Sequence, residues 1–186
     1  MQRNQSDKAR VLKAMRYLLP LLATLAVAAC AGQPVYRQSA APLPVASIDQ
    51  ARYLGRWYEQ ARLPNRFEQG CQTAAAEYGR RPDGLISVRN SCVGVTGRTQ
   101  VANGRARAAG GPGEGKLKVS FFGPFWADYW VLERAEDYSW SIVGEPSGRY
   151  LWLLTRVETI TPAQRAEFER RISALGYRPA DLVWRG

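Results

Sequence analysis

Between residues 73 and 156, short β-prone runs recur about every ten residues, separated by Gly, Pro, Asp and Asn. The run 73–79 is followed by the turn Pro82-Asp83-Gly84. Run 85–90 alternates, with Ile86, Val88 and Asn90 on one face and Ser87 and Arg89 on the other. Run 98–108 is weaker. Run 116–122 sets Leu117, Val119 and Phe121 against Lys116, Lys118 and Ser120, and runs 129–134, 138–144 and 150–156 follow. Side chains alternate faces along a strand, so each run has one face to bury. Regular short strands with turn signals between them specify an all-β sandwich or barrel.

One helix interrupts the pattern near the C-terminus. Thr161 is placed to cap it, Pro162 suits its first position and Gln164 completes a capping box. Phe168, Ile172 and Leu175 then recur at i, i+4 and i+7, and Gly176 suits the stop. A lone amphipathic helix after a run of strands packs outside the sheet, and Leu151 and Leu153, opposite in parity to Tyr150 and Trp152, are the expected seat.

The first thirty residues read as an address. Residues 1–16 carry Arg3, Lys8, Arg10, Lys13 and Arg16 against the single acid Asp7, and residues 17–29 are almost wholly apolar. Thirteen residues rise only about 20 Å as a helix, short of a bilayer core of roughly 30 Å, so a secretory signal is expected rather than a membrane span. Val27-Ala28-Ala29-Cys30 resembles the site at which bacterial lipoproteins are cleaved and acylated. That resemblance implies a signal peptide over 1–29 and acyl chains on Cys30 as a membrane anchor, with the outer membrane as destination because Ala31, not Asp, follows. Residues 30–47, rich in Pro, Ala and Ser, read as a lipidated, flexible tether, and the domain as 48–186.

The chain has 186 residues and a formal charge of +10. Without the first 29 residues it has 21 basic and 15 acidic residues, a net +6, with the arginines scattered. A solvated surface explains this better than a nucleic-acid site, and a weak attraction to anionic lipid remains compatible with it. There is no His, which removes the commonest metal ligand and the usual general base. Neither a metal nor a cofactor is expected. With Cys30 acylated, Cys71 and Cys92 form an even pair. A hairpin centred on Asp83 brings them close, so a disulfide is expected. The alternative, one nucleophilic Cys, lacks a neighbour to lower its pKa.

Two stretches carry a family likeness. Gly55-Arg56-Trp57-Tyr58-Glu59, with Pro64-Asn65-Arg66-Phe67-Glu68 after it, resembles the Gly-x-Trp motif that opens lipocalins. A short helical turn (49–53) is expected just before it. Leu151-Trp152-Leu153-Leu154-Thr155-Arg156 resembles the strand whose Arg covers that Trp. Between them, residues 118–125 and 129–132 resemble the bacterial outer-membrane members and their apolipoprotein D-like relatives. The likeness runs from about 48 to 185. It implies an eight-stranded up-and-down antiparallel barrel with one C-terminal helix outside, and a carrier of a fatty acid or lysophospholipid rather than an enzyme.

On that frame Trp57 and Arg156 form the barrel floor, and Leu154, Trp152 and Tyr150 rise from it on the inner face. Ile86, Val88, Asn90, Val119, Phe121, Tyr129 and Val131 are the other expected lining residues. Each either lines a ligand or fills a core. If they fill it, the competing reading is an envelope interaction module that uses its outer face. No catalytic residue is expected; an inward Glu77 or Glu133 with a raised pKa is the feature an enzyme would require. Phe125, Trp126, Trp130 and Tyr138 are expected to leave an exposed aromatic patch and a reason to test for a homodimer.

Overall fold

Each alternating run is a strand in the computed structural model, which describes residues 32–186; the signal segment and Cys30 lie outside the described residues. The strands are β1 (Gly55–Arg62), β2 (Cys71–Arg80), β3 (Ile86–Gly94), β4 (Thr99–Ala108), β5 (Lys116–Ser120), β6 (Ala127–Arg134), β7 (Trp140–Gly144) and β8 (Leu151–Thr155). Neighbours in sequence pair antiparallel, and β1 pairs with both β2 and β8, so the sheet closes into an eight-stranded barrel. Closure removes the unpaired edges that open sheets must protect. A two-residue strand β9 (Val183–Trp184) adds outside β1, through Ala61 and Arg62.

A bulge in β1 between Glu59 and Ala61 redirects the chain. Gln60 leaves the ladder and its side-chain amide donates to Thr155 Oγ1 and to the Val157 and Glu158 carbonyls. Beyond it, Ala61 faces outward and Arg62 faces inward opposite Trp152.

Two apolar cores result. The inner one gathers Tyr53, Trp57, Tyr78, Ile86, Val88, Val131, Val143 and Leu154 inside the barrel. The outer one joins Ala61, Leu132, Ile142, Leu151 and Leu153 to Phe168, Ile172 and Leu175 of the C-terminal helix. Leu151 and Leu153 are both fully buried under that helix, as their parity requires. The short helix α1 (Gln50–Tyr53) is capped by Asp49, whose carboxylate accepts from Ala51 N. The long helix α2 (Pro162–Ala174) has the full capping box between Thr161 and Gln164.

Three expectations need correction. The segment before residue 48 is not a free tether from residue 36 onward. Tyr36 and Arg37 donate backbone N–H to Gly148 O, Gln38 to Gly176 O, Ala46 to Val131 O and Ile48 to Gly113 O. The folded unit therefore begins at Val35. Two glycines admit this strap: a Cβ on Gly148 would sit 2.6 Å from Arg37 Cβ, and one on Gly176 2.5 Å from Ser39 Cβ. Second, the strand expected over 138–144 begins at Trp140. Tyr138 sits in the preceding turn at φ 65°, buried, with its hydroxyl accepting from Asp49 N. Third, the four aromatics do not make one patch. Phe125 is exposed, Trp126 lies beneath Arg105 and Arg107, Trp130 packs on the outer core and Tyr138 closes the far end.

Cys71 and Cys92 are joined, with Cα atoms 5.4 Å apart. The bulge between Cys71 and Thr73 moves Cys71 opposite Gly94, diagonal to Cys92 and on the same face. Opening this 21-residue link is expected to cost about 2–4 kcal/mol of stability. Urea denaturation with and without reductant measures it; an unchanged midpoint would show that the β2–β3 hairpin holds its register unaided.

Candidate ligand-binding chamber

The floor of the barrel is a stack. Trp57 is fully buried and its indole N–H donates to Tyr53 O at 2.8 Å. The Arg156 guanidinium lies 3.7 Å from the Trp57 ring centroid. Its Nη1 donates to Arg56 O and its Nη2 to the carbonyls of Arg52 and Leu54. One side chain therefore ties α1, the start of β1 and the end of β8 together. A planar, five-donor cation on an aromatic face suits this role in a way a lysine does not.

Above the floor three phenols interlock. Tyr129 Oη is 3.1 Å from Tyr53 Oη and 3.0 Å from Tyr78 Oη, and Tyr53 Oη is 3.0 Å from Ser141 Oγ. Burial pushes the Tyr53 hydroxyl up to about 12 and raises Tyr78 and Tyr129 as well. All three stay protonated near neutral pH. The space they leave with Ile48, Ile86, Leu117 and Val119 is a cavity of about 10 Å³, room for roughly one water. The lower barrel is thus packed.

The upper barrel is different. Val88, Val131 and Leu154 are buried at the inner core, whereas Phe121 and Trp152 pack against it only partly buried. Tyr150 stacks on Trp152, with ring centroids 5.8 Å apart. Across from them the wall is thin. Asn90 faces Ala76 on one side and Ala102 on the other, and Ala102 is exposed although it shares that inner face. Gly104 is thin by necessity, since a Cβ there would meet the Phe121 ring at 2.8 Å. Solvent therefore reaches inward-facing groups from the end bearing the loops 63–70, 95–98, 121–126 and 145–150. Asn90 Oδ1 is buried there without a hydrogen-bond partner.

A buried polar cluster stands on the wall of this chamber. Arg62 Nη1 donates to Glu59 Oε1 at 2.9 Å, and its Nη2 donates to the carbonyls of Glu68 and Cys71. Glu68 Oε2 accepts from Asn65 Nδ2 at 2.6 Å and from the Trp152 indole N–H at 3.0 Å. Burial, then the neighbouring Glu68, raises the Glu59 carboxyl well above its ordinary range despite Arg62. One arginine facing two acids therefore shifts Glu59 towards its protonated form.

Period-two alternation brings the predicted lining residues to one interior. It does not reveal the polar cluster: Glu59, Asn65 and Glu68 were visible only as parts of a motif, and the inward turn of Arg62 depends on the bulge. The acids singled out as diagnostic of an enzyme lie elsewhere, Glu77 exposed and Glu133 outside the barrel, paired with Arg171.

Comparison with known proteins agrees with this architecture. The family model described as a lipocalin-like domain matches residues 48–186. The chain is a lipocalin. Among its relatives is the outer membrane lipoprotein Blc of Vibrio cholerae, 40% identical over 172 residues, which cover 91% of this lipocalin and 98% of the relative. The Blc of Escherichia coli strain K12 is 37% identical, covering 75% and 80% respectively. Apolipoprotein D of Macaca fascicularis is 32% identical, covering 85% and 88%. Among solved structures, insecticyanin of Manduca sexta superposes with a TM-score of 0.63 at 22% identity, over 82% of this lipocalin and 87% of that chain.

Proposed function

We propose that this lipocalin carries one single-chain lipid, a fatty acid or a lysophospholipid, in the upper chamber, and that acyl chains on Cys30 hold it at the outer membrane. Its work is to store or move such lipids at the envelope, with no chemistry performed on them. The observation that supports the reading is the pair of inward-facing aromatic groups left partly open to solvent, Phe121 and Trp152, with the thin wall at Ala102, above a packed lower barrel. The acyl chain would lie along them towards Val88, Val131 and Leu154. Asn90 and the Arg62 cluster are the polar groups nearest a headgroup. The names of the Vibrio and Escherichia relatives support the location.

Burying a sixteen-carbon chain contributes a gross of about 12 kcal/mol before the costs of association, so micromolar binding needs no dedicated headgroup contact. The test is native mass spectrometry of the purified protein, followed by titration with a fatty acid and a lysophospholipid while Trp emission is recorded. A co-purifying lipid, or saturable one-to-one quenching in which Trp152 reports occupancy, is the expected result. A folded protein that neither carries lipid nor responds would overturn the carrier reading in favour of an envelope interaction module.

A further inference from the structure

The two ends of the barrel differ in chemistry. The four most exposed large apolar residues among those described are Phe122, Phe125, Val95 and Phe67, at 78, 76, 75 and 65%. All four sit on loops at the open end: Phe67 between β1 and β2, Val95 between β3 and β4, Phe122 and Phe125 between β5 and β6. Phe67 meets Tyr150 and Arg66 on one side, yet large apolar residues this exposed at the tips of three separate loops are not accounted for by packing alone.

The exposed acids follow the same polarity. On the open-end loops the exposed charged residues are arginines, Arg66 and Arg98, while the acids Glu68 and Glu145 are half-buried and bonded. At the closed end the acids Asp83, Glu136 and Asp137 are exposed, alongside Arg52, Arg56 and Arg81. An aromatic rim with basic neighbours, and acids kept to the opposite end, complements an anionic lipid surface.

The strap fixes the orientation. It runs from Gly113 at the closed end up to Gly148 on the β7–β8 loop, so Val35 leaves the barrel at the mouth. Cys30 lies five residues further back, a reach of at most about 18 Å. A lipid anchor there holds the open end, not the closed one, beside the bilayer.

We infer that the loop rim bearing Phe67, Val95, Phe122 and Phe125 docks on the anionic membrane surface, so that the chamber opens directly onto lipid and its ligand enters without crossing water. This rests on the lipid-carrier reading for its purpose, but the docking itself is testable apart from it.

The chain purified from bacterial membranes is reconstituted in vesicles of phosphatidylethanolamine with a minority of phosphatidylglycerol. Phe125→Cys and, at the closed end, Asp83→Cys are labelled with an environment-sensitive thiol dye, the unsubstituted chain serving as blank. Spin-labelled lipids are expected to quench the dye at 125 about threefold or more over that at 83. Phe122→Ser/Phe125→Ser is expected to slow transfer of a fluorescent fatty acid from vesicles about tenfold while leaving its affinity in solution unchanged. Equal quenching at both ends would overturn the docking even if the protein binds lipid. So would a dye at 125 that becomes shielded without vesicles as protein concentration rises, which would mean that the rim meets a second copy. Loss of fatty-acid binding with quenching preserved would instead remove the carrier reading and leave the docking.

Discussion

Trp57→Ala is expected to lower the free energy of unfolding by about 3–5 kcal/mol. Trp57 is fully buried, and its removal opens a hole where α1, β1 and β8 meet. The surrounding groups cannot collapse into it. The Tyr53 ring, 5.0 Å from the indole, is held by Ser141 and Tyr129, and Arg156 is held by four carbonyls. Arg156 also loses the ring face it lies on, a contact of about 0.5–2 kcal/mol. The Tyr53 carbonyl loses its donor as well. Equilibrium urea denaturation checks this, and a loss below about 1 kcal/mol would show that the floor is not a close-packed plug.

Arg62→Met is expected to cost about 3–5 kcal/mol near pH 8, and much less near pH 5. The methionine fills similar space but leaves Glu59 and Glu68 facing each other without a cation. Arg62 and Glu59 side chains are each only 7% exposed, so water does not substitute. The sign of the pH dependence follows from Glu59, whose carboxyl is raised in the folded state by burial and by Glu68. A raised acid binds its proton more tightly folded than unfolded. Its contribution is fully present below the unfolded value, about 4.3, and is lost as pH rises through the folded value. Thermal melts of the variant should therefore climb on acidification, more steeply than those of the unsubstituted protein. Adding Glu59→Gln should flatten the slope. A deficit that does not change with pH would show that the arginine acts by packing alone.

Much of this was legible because period-two patterning is local. Ile86, Val88 and Asn90 share a face by chain geometry alone, and one anchor of parity, Arg156 beside Trp57, orients Leu154, Trp152 and Tyr150. The capping box at Thr161 and Gln164 is local too, as is the Cys71–Cys92 spacing about a turn. The Pro- and Ala-rich strap misled for the opposite reason. Its composition has no period, and its order comes from Gly148, Gly176 and Gly113, which are distant in sequence and known as partners only once the barrel is closed. Tyr138 misled because a β-forming residue was read into a strand, while its hydroxyl contact with Asp49 keeps it in the turn.

The sequence by itself determined the alternating faces, the helix outside and, through its motifs, the family, whose likeness implies eight strands. Those follow from alternation, turn chemistry and motif, each specified by neighbours along the chain. Only the tertiary structure decided the rest. The bulge at Gln60 breaks the alternation that Trp57 begins and turns Arg62 inward onto Glu59 and Glu68. Barrel closure places apolar loop tips around one mouth, exposed acids at the other end, and the start of the folded chain beside that mouth. These features depend on which distant segments meet. Pairing across strands and packing against loops set them, even where, as for Arg62 with Glu59 and Glu68, the partners lie close in sequence.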